Sequence, residues 1–210
     1  GYAGSDVANV ESWDGTCWAE ETAVTTARRA MPGYGASGTS ALCTATDSQA
    51  NTEIWNGTAW TEAVDPNTPR GQATGSGIAT SGMYAGGNPT PNWSKAETWD
   101  GTSWTEVADL LTGRGEDPGS AGVSHTNALV FGGRTPAPSW ADTADTEYFD
   151  GTSWTELANM ANVRISAARS SMGAGSSGAL AVGGTTPPAT LMTAVEEWGI
   201  ADSTKTFTAS

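Results

Sequence analysis

The sequence predicts an all-β chain assembled from repeated four-stranded antiparallel sheets. Three observations predict it. A hairpin motif flanked by aromatics recurs with steps of 42 to 50 residues, starting at Glu11, Glu53, Glu97, Glu147 and Glu196. An Arg stands ten residues after the second Trp of each of the first four motifs, at Arg28, Arg70, Arg114 and Arg164. No segment keeps a 3.6-residue apolar period, so almost no helix is expected.

The hairpin reads Glu11-Ser-Trp-Asp-Gly-Thr-Cys-Trp18, then Glu53-Ile-Trp-Asn-Gly-Thr-Ala-Trp60, Glu97-Thr-Trp-Asp-Gly-Thr-Ser-Trp104 and Glu147-Tyr-Phe-Asp-Gly-Thr-Ser-Trp154. The fifth copy starts alike at Glu196-Glu-Trp198-Gly199 and then diverges. Asp-Gly or Asn-Gly between aromatic-flanked segments is a strong hairpin signal, because Gly takes the positive φ the turn requires. Thr146–Phe149 and Ser153–Leu157 are therefore expected to pair.

Later in each period comes a short apolar run, at 41–43, 83–85, 128–131 and 179–182. It is too short for a helix and reads as a buried strand. A Gly pair follows three of the runs, at Gly86-Gly87, Gly132-Gly133 and Gly183-Gly184; Ala45-Thr46 stands there in the first full period. The small-residue stretch after each Arg, such as Ile165–Gly173, supplies the strand before it. Four strands per period of 40–50 residues argue a β-propeller, in which neighbouring sheets bury each other's faces. One domain over 1–210 is expected, with an outer half-blade at 1–27 and blades at 28–69, 70–113, 114–163 and 164–210. Gly1 stands ten residues before Glu11, as Gly87 stands before Glu97. The expectation is a partial chain of a ring with five or more blades.

The order Arg, apolar strand, Gly-Gly, aromatic, Trp resembles the kelch repeat over essentially the whole chain. The Glu-x-[Trp/Phe]-[Asp/Asn]-Gly-Thr-x-Trp hairpin is similar to short kelch-like repeats in virion and tail-associated proteins of tailed bacteriophages. The ending Thr204–Thr208 looks like the way those proteins finish. The resemblance implies a structural or binding module on a virion or cell exterior, engaged in host-surface or glycan attachment. An intracellular adaptor-type interaction scaffold and a propeller carbohydrate-active enzyme are the alternatives.

Composition narrows the chemistry. The net charge is −14, which disfavours nucleic acid or an anionic membrane as partner. No apolar run approaches the ~20 residues of a transmembrane helix. One His and two Cys disfavour metal sites built from those ligands, so no cofactor and no metal are expected. Copper-oxidase chemistry, known in some kelch-type propellers, lacks its histidines, and His125 reads as an exposed turn residue. Asp14, Asn56, Asp100 and Asp150 occupy the same turn of successive repeats and read as turn formers, not catalytic acids. No clustered acid pair is evident, and a non-enzyme is expected. Cys17 and Cys43 are expected unpaired and mostly buried.

Candidate binding residues fall in two groups. Arg28, Arg70, Arg114 and Arg164 are central-channel candidates, because related arginines near the opening bind acidic ligands; the competing reading is a bond between blades, to backbone carbonyls or to the repeated Glu. The loops after the Gly pairs vary in length while the hairpins do not, which is where a scaffold carries binding. They hold Asn92, Trp93, Arg134, Trp140 and Leu191. Trp93 and Trp140 lie outside the repeat's aromatic register and suit stacking on a sugar or gripping a protein; the competing reading makes each a lid over its own blade. Partners in view are a cell-surface glycan or protein receptor, neighbouring virion proteins, or further copies in a homo-oligomer.

Overall fold

The computed structural model describes residues 6–44, 50–88, 91–166, 168–169, 178–186, 190–201 and 204–209. It begins with the hairpin of β1 (Val10–Trp13) and β2 (Trp18–Glu21). The first full blade contains β3 (Gly33–Ser37), β4 (Ser40–Thr44), β5 (Thr52–Trp55) and β6 (Trp60–Ala63). The second holds β7 (Thr74–Ile78), β8 (Ser81–Ala85), β9 (Ala96–Trp99) and β10 (Trp104–Glu106). The third holds β11 (Gly119–Ser124), β12 (Asn127–Phe131), β13 (Thr146–Phe149) and β14 (Trp154–Leu157). The fourth holds β15 (Ala168–Arg169) and β16 (Gly178–Val182), a small hairpin of β17 (Thr185–Thr186) and β18 (Thr190–Leu191), then β19 (Val195–Ala201) and β20 (Thr204–Ala209). Each blade is a four-stranded antiparallel meander, and β17–β18 forms a separate two-stranded sheet. These are successive blades of a β-propeller.

The hairpin motif folds as its spacing requires. Trp13 faces Trp18, Trp55 faces Trp60, Trp99 faces Trp104 and Phe149 faces Trp154 across the turns. Their rings stack at centroid distances of 5.6, 5.5, 5.3 and 5.0 Å. The Asp or Asn side chain closes each turn. Asp100 Oδ1 accepts from the Thr102 and Ser103 N–H groups, both at 2.8 Å, and Asp14, Asn56 and Asp150 do the same. The fifth hairpin departs from the motif and is longer, running from Glu196↔Ala209 to Ala201↔Thr204.

Three cores form between blades. Tyr34 and Leu42 of the first blade pack with Tyr84, Trp99 and Trp104 of the second. Met83, Ala85 and Ala96 pack with Ala128, Val130, Phe149 and Trp154. Leu129, Phe131 and Met160 pack with Ala179, Ala181 and Trp198. Burying one such large side chain stabilises the fold by roughly 1.5–3 kcal/mol. Strands β8 and β12 are covered on both faces, so their sequences run apolar without alternation.

Several expectations need adjustment. Of the expected strand Ile165–Gly173, only Ala168–Arg169 pairs in a sheet; Ile165 bridges Thr185, and 167 and 170–173 lie outside the described residues. Ala45-Thr46 also lies outside them. Cys43 is buried but Cys17 is exposed, because it sits in the hairpin turn, where its counterpart Ser153 in a full blade is exposed too. His125 is half-buried: its N–H donates to Ser81 Oγ at 3.0 Å and its Nδ1 lies 2.8 Å from the same oxygen, joining two blades. Among the described residues the sole helical element is a 3-10 turn at Asn92–Ser94, and no helix is long and apolar enough to cross a membrane.

Candidate functional site

The four repeated arginines are 0–1% exposed, which removes them from contact with a ligand in the channel. Each guanidinium pairs with the Glu that opens the hairpin of its own blade: Arg28 with Glu53, Arg70 with Glu97, Arg114 with Glu147 and Arg164 with Glu196. Further bonds go to backbone carbonyls, such as Gly86 and Thr68 for Arg70 and Asp145 and Gly132 for Arg114. The carboxylates in turn accept from the linker that enters the blade. Glu97 takes the N–H groups of Asn67 and Thr68 at 2.7 and 3.1 Å, and Glu147 those of Leu111 and Thr112 at 2.7 and 3.1 Å. Burial pulls the Arg114 pKa down, and Glu147 opposes that pull. Glu11, in the first hairpin, is exposed.

The Gly pairs complete the joint. Gly87 N–H donates to the Arg114 carbonyl at 2.9 Å, and Gly133 N–H to the Arg164 carbonyl at 2.8 Å. A Cβ on Gly86 would stand 2.4 Å from that Arg114 oxygen, so a side chain there would push the blades apart. Arginine, glutamate and Gly pair thus form one inter-blade fastening.

The variable loops behave differently. The loop after Gly86-Gly87 carries Trp93 down onto the linker entering the third blade. Trp93 is 4% exposed, and its carbonyl accepts from Arg114 N–H at 2.7 Å. Its ring lies so close to Gly115 that a Cβ there would stand 3.2 Å from it. Trp93 is a lid. Asn92 opens the 3-10 turn, and its side chain lies outside the described part.

The loop after Gly132-Gly133 closes on itself. Thr135 N–H donates to the Ala141 carbonyl at 2.8 Å, and Thr135 Oγ1 bonds Ser139 Oγ and Ala141. At its tip Trp140 has φ 44° and remains 56% exposed. That region is costly for a bulky side chain and persists where the surroundings hold it. Here they do: the Trp140 ring meets Trp93 edge to face, at 5.6 Å and 79°.

Arg134 leaves the Gly pair beside this platform. Its backbone bridges Gly115 on one side and Asp142 on the other. Its Nε donates to Asp142 Oδ1 at 2.7 Å, a bond that raises the Arg134 pKa. Among the described residues its two terminal nitrogens make no hydrogen bond, and the side chain is 32% exposed. The Asp142 side chain is 1% exposed. Among the described residues, Asp142 Oδ2, Asn88 Oδ1 and Trp93 Nε1 are buried and have no hydrogen-bond partner, a concentration of unmet polar atoms in one place. Asn88 joins the group through Gln72, to which its amide donates, and through Gly115.

The structure thus brings Trp93, Trp140 and Arg134 together, from the loops of two adjacent blades. Leu191 stands apart on β18, 83% exposed. Asp142 and Asn88 were not singled out in the sequence; Asn88, next after a Gly pair, carried a positional signal, and Asp142 carried none. Among the described residues no three of His, Cys, Asp and Glu form a metal-holding group. A second concavity, about 670 Å³, lies between the first hairpin and β3–β4, lined by Val10, Val24, Tyr34, Leu42 and Trp60. It flanks the edge of β1 that pairs with no strand among the described residues, whereas β4, β8 and β12 lie against β5, β9 and β13 in the full blades.

No family model and no curated protein matches the sequence. Among solved structures the chain is similar to the structure of YjhT, with a TM-score of 0.66 and 14% identity over 86% of this chain and 64% of that one. The chain therefore spans 64% of the length of that neighbour. At this identity the likeness shows fold alone, and with the four-stranded blades it makes this chain a β-propeller.

Proposed function

We propose that the chain is a non-catalytic, kelch-like binding module that takes a neutral glycan at the Trp140–Arg134 loop cluster. The observation that carries the reading is Trp140: a large aromatic face, 56% exposed, held on a buried Trp93. An aromatic face stacks on the C–H face of a sugar, and holding it rigid lowers the entropy cost of binding. The free Arg134 fork supplies donors for neighbouring hydroxyls. Asp142 already balances the Arg134 charge, and the chain carries −14 overall, so an anionic sugar gains little here. Apart from the exposed Glu11, the carboxylates named above are engaged in turns and ion pairs, which supports a binding role over an enzymatic one.

A virion or tail-associated placement, with host-surface attachment as the task, rests on the resemblance of the Glu-to-Trp hairpin and the Thr204–Thr208 ending. The acidic, Thr- and Ser-rich composition is compatible with an exterior module.

The test is binding to a glycan array and to whole bacterial cells, comparing wild type with Trp140→Ala. The expected result is retention of neutral glycans, lost in the variant with the circular dichroism spectrum unchanged. Binding confined to sialylated or sulfated glycans would overturn the neutral class. Absence of any glycan or cell binding would overturn the glycan reading and favour a protein partner.

A further inference from the structure

We propose that Asn56 is a self-modifying site, whose side-chain amide is converted to a carboxylate in the folded protein. Asn56-Gly57 is the sole Asn-Gly step in the sequence. It fills the turn where three sister hairpins carry Asp14, Asp100 and Asp150. The sister turns show what the converted residue would meet, so the fold itself holds three copies of the product.

The turn also promotes the reaction. Asn56 is exposed, and its Oδ1 accepts from Thr58 N–H at 2.9 Å and Ala59 N–H at 3.0 Å. Two backbone donors on one carbonyl oxygen polarise its carbon and stabilise the negative charge that grows on the oxygen under attack. The nucleophile is the Gly57 nitrogen, unhindered by any Cβ on its own residue. Among the described residues the Gly57 N–H makes no hydrogen bond. It bonds to Asn56 Cγ, the Cγ–Nδ2 bond breaks, and the Gly57 proton leaves with Nδ2 as ammonia. Water then adds to the resulting five-membered imide and opens one of its two C–N bonds. The sum is amide plus water to carboxylate plus ammonium, the acid's proton passing to the ammonia.

Opening on the side-chain carbonyl regenerates the ordinary backbone with an Asp. That carboxylate would accept the same two N–H groups, as in Asp100, where they and Thr102 Oγ1 hold the carboxyl down to about 2. Opening on the backbone carbonyl inserts an extra carbon into the chain and breaks the facing of Trp55 with Trp60.

The experiment incubates the folded protein at mildly alkaline pH and follows it by peptide-level mass spectrometry and isoelectric focusing. The same chain in urea is the reference. The expected result is a one-unit mass gain confined to the peptide holding Asn56, with a new acidic band. The rate is expected to equal or exceed that in urea, because the native turn supplies the two donors. A folded-state rate several-fold below the urea rate would overturn the proposal, as would equal conversion at other asparagines. Asn56→Asp is expected to unfold at or above the wild-type midpoint, and a lower midpoint would overturn the claim that the turn accommodates the product. None of these outcomes depends on glycan binding.

Discussion

The Glu97 carboxylate holds the Arg70 guanidinium at 3.0 Å and, with the same two oxygens, the backbone N–H groups of Asn67 and Thr68. One side chain thus ties the third strand of a blade to the segment that enters it. Both partners are 0–1% exposed. Removing one charge of a buried pair costs about 3–5 kcal/mol, because the other is left uncompensated. Glu97→Gln is expected to lose that much in urea unfolding. Glu106→Gln, which breaks only the exposed contact with Lys95, is expected to leave the midpoint nearly unmoved.

Trp93 and Trp140 touch, yet their substitutions are expected to separate. Trp93→Ala empties a buried site and should cost about 3–5 kcal/mol by denaturant titration. Trp140→Ala should leave stability within about 0.5 kcal/mol of wild type while abolishing ligand binding. Because Trp140 sits at φ 44°, Trp140→Gly should melt above Trp140→Ala, since glycine occupies that region without strain.

The turn aspartates make stability depend on acid. Backbone N–H bonds from Ser103 lead the causes that hold Asp100 down to about 2, and Asp14 and Asp150 are lowered by the same kind of bond. A depressed folded pKa means the contribution is fully present above the ordinary carboxylate value, about 3.9. It is lost as pH falls through about 2 for Asp100. Thermal melts between those limits should fall with pH, and Asp100→Asn should flatten part of the slope.

The thiols should react unequally. Burial pushes Cys43 up to about 11, and Cys17 is exposed. A thiol reagent near pH 8 should label Cys17 alone in the native protein and both residues in guanidinium. Native labelling of Cys43 would show that the first blade opens readily.

Much of this molecule is legible along the chain. The Asp-Gly turns, the facing aromatics and the apolar second strands depend on neighbours a few residues apart, and local spacing specifies those. The strand order of each blade follows, because each meander joins consecutive strands. Even the Glu and Arg of each fastening were visible as a period. Their sequence positions did not show whether the guanidinium faced the channel or a carboxylate, since 27 residues separate Arg70 from Glu97.

Only the packed structure decided the rest. Two tryptophans in similar Pro-containing loops took opposite fates: Trp93 found a glycine-bared groove at Gly115, and Trp140 landed on top of it. Trp13 belongs to the same motif as buried counterparts, yet it is 52% exposed while Trp99 is 1% exposed. Burial depends on which blade lies alongside, a property of the assembled sheets. The sequence by itself determined the repeat and the blade; the packing of one blade against the next determined which of its identical-looking side chains remain free to bind.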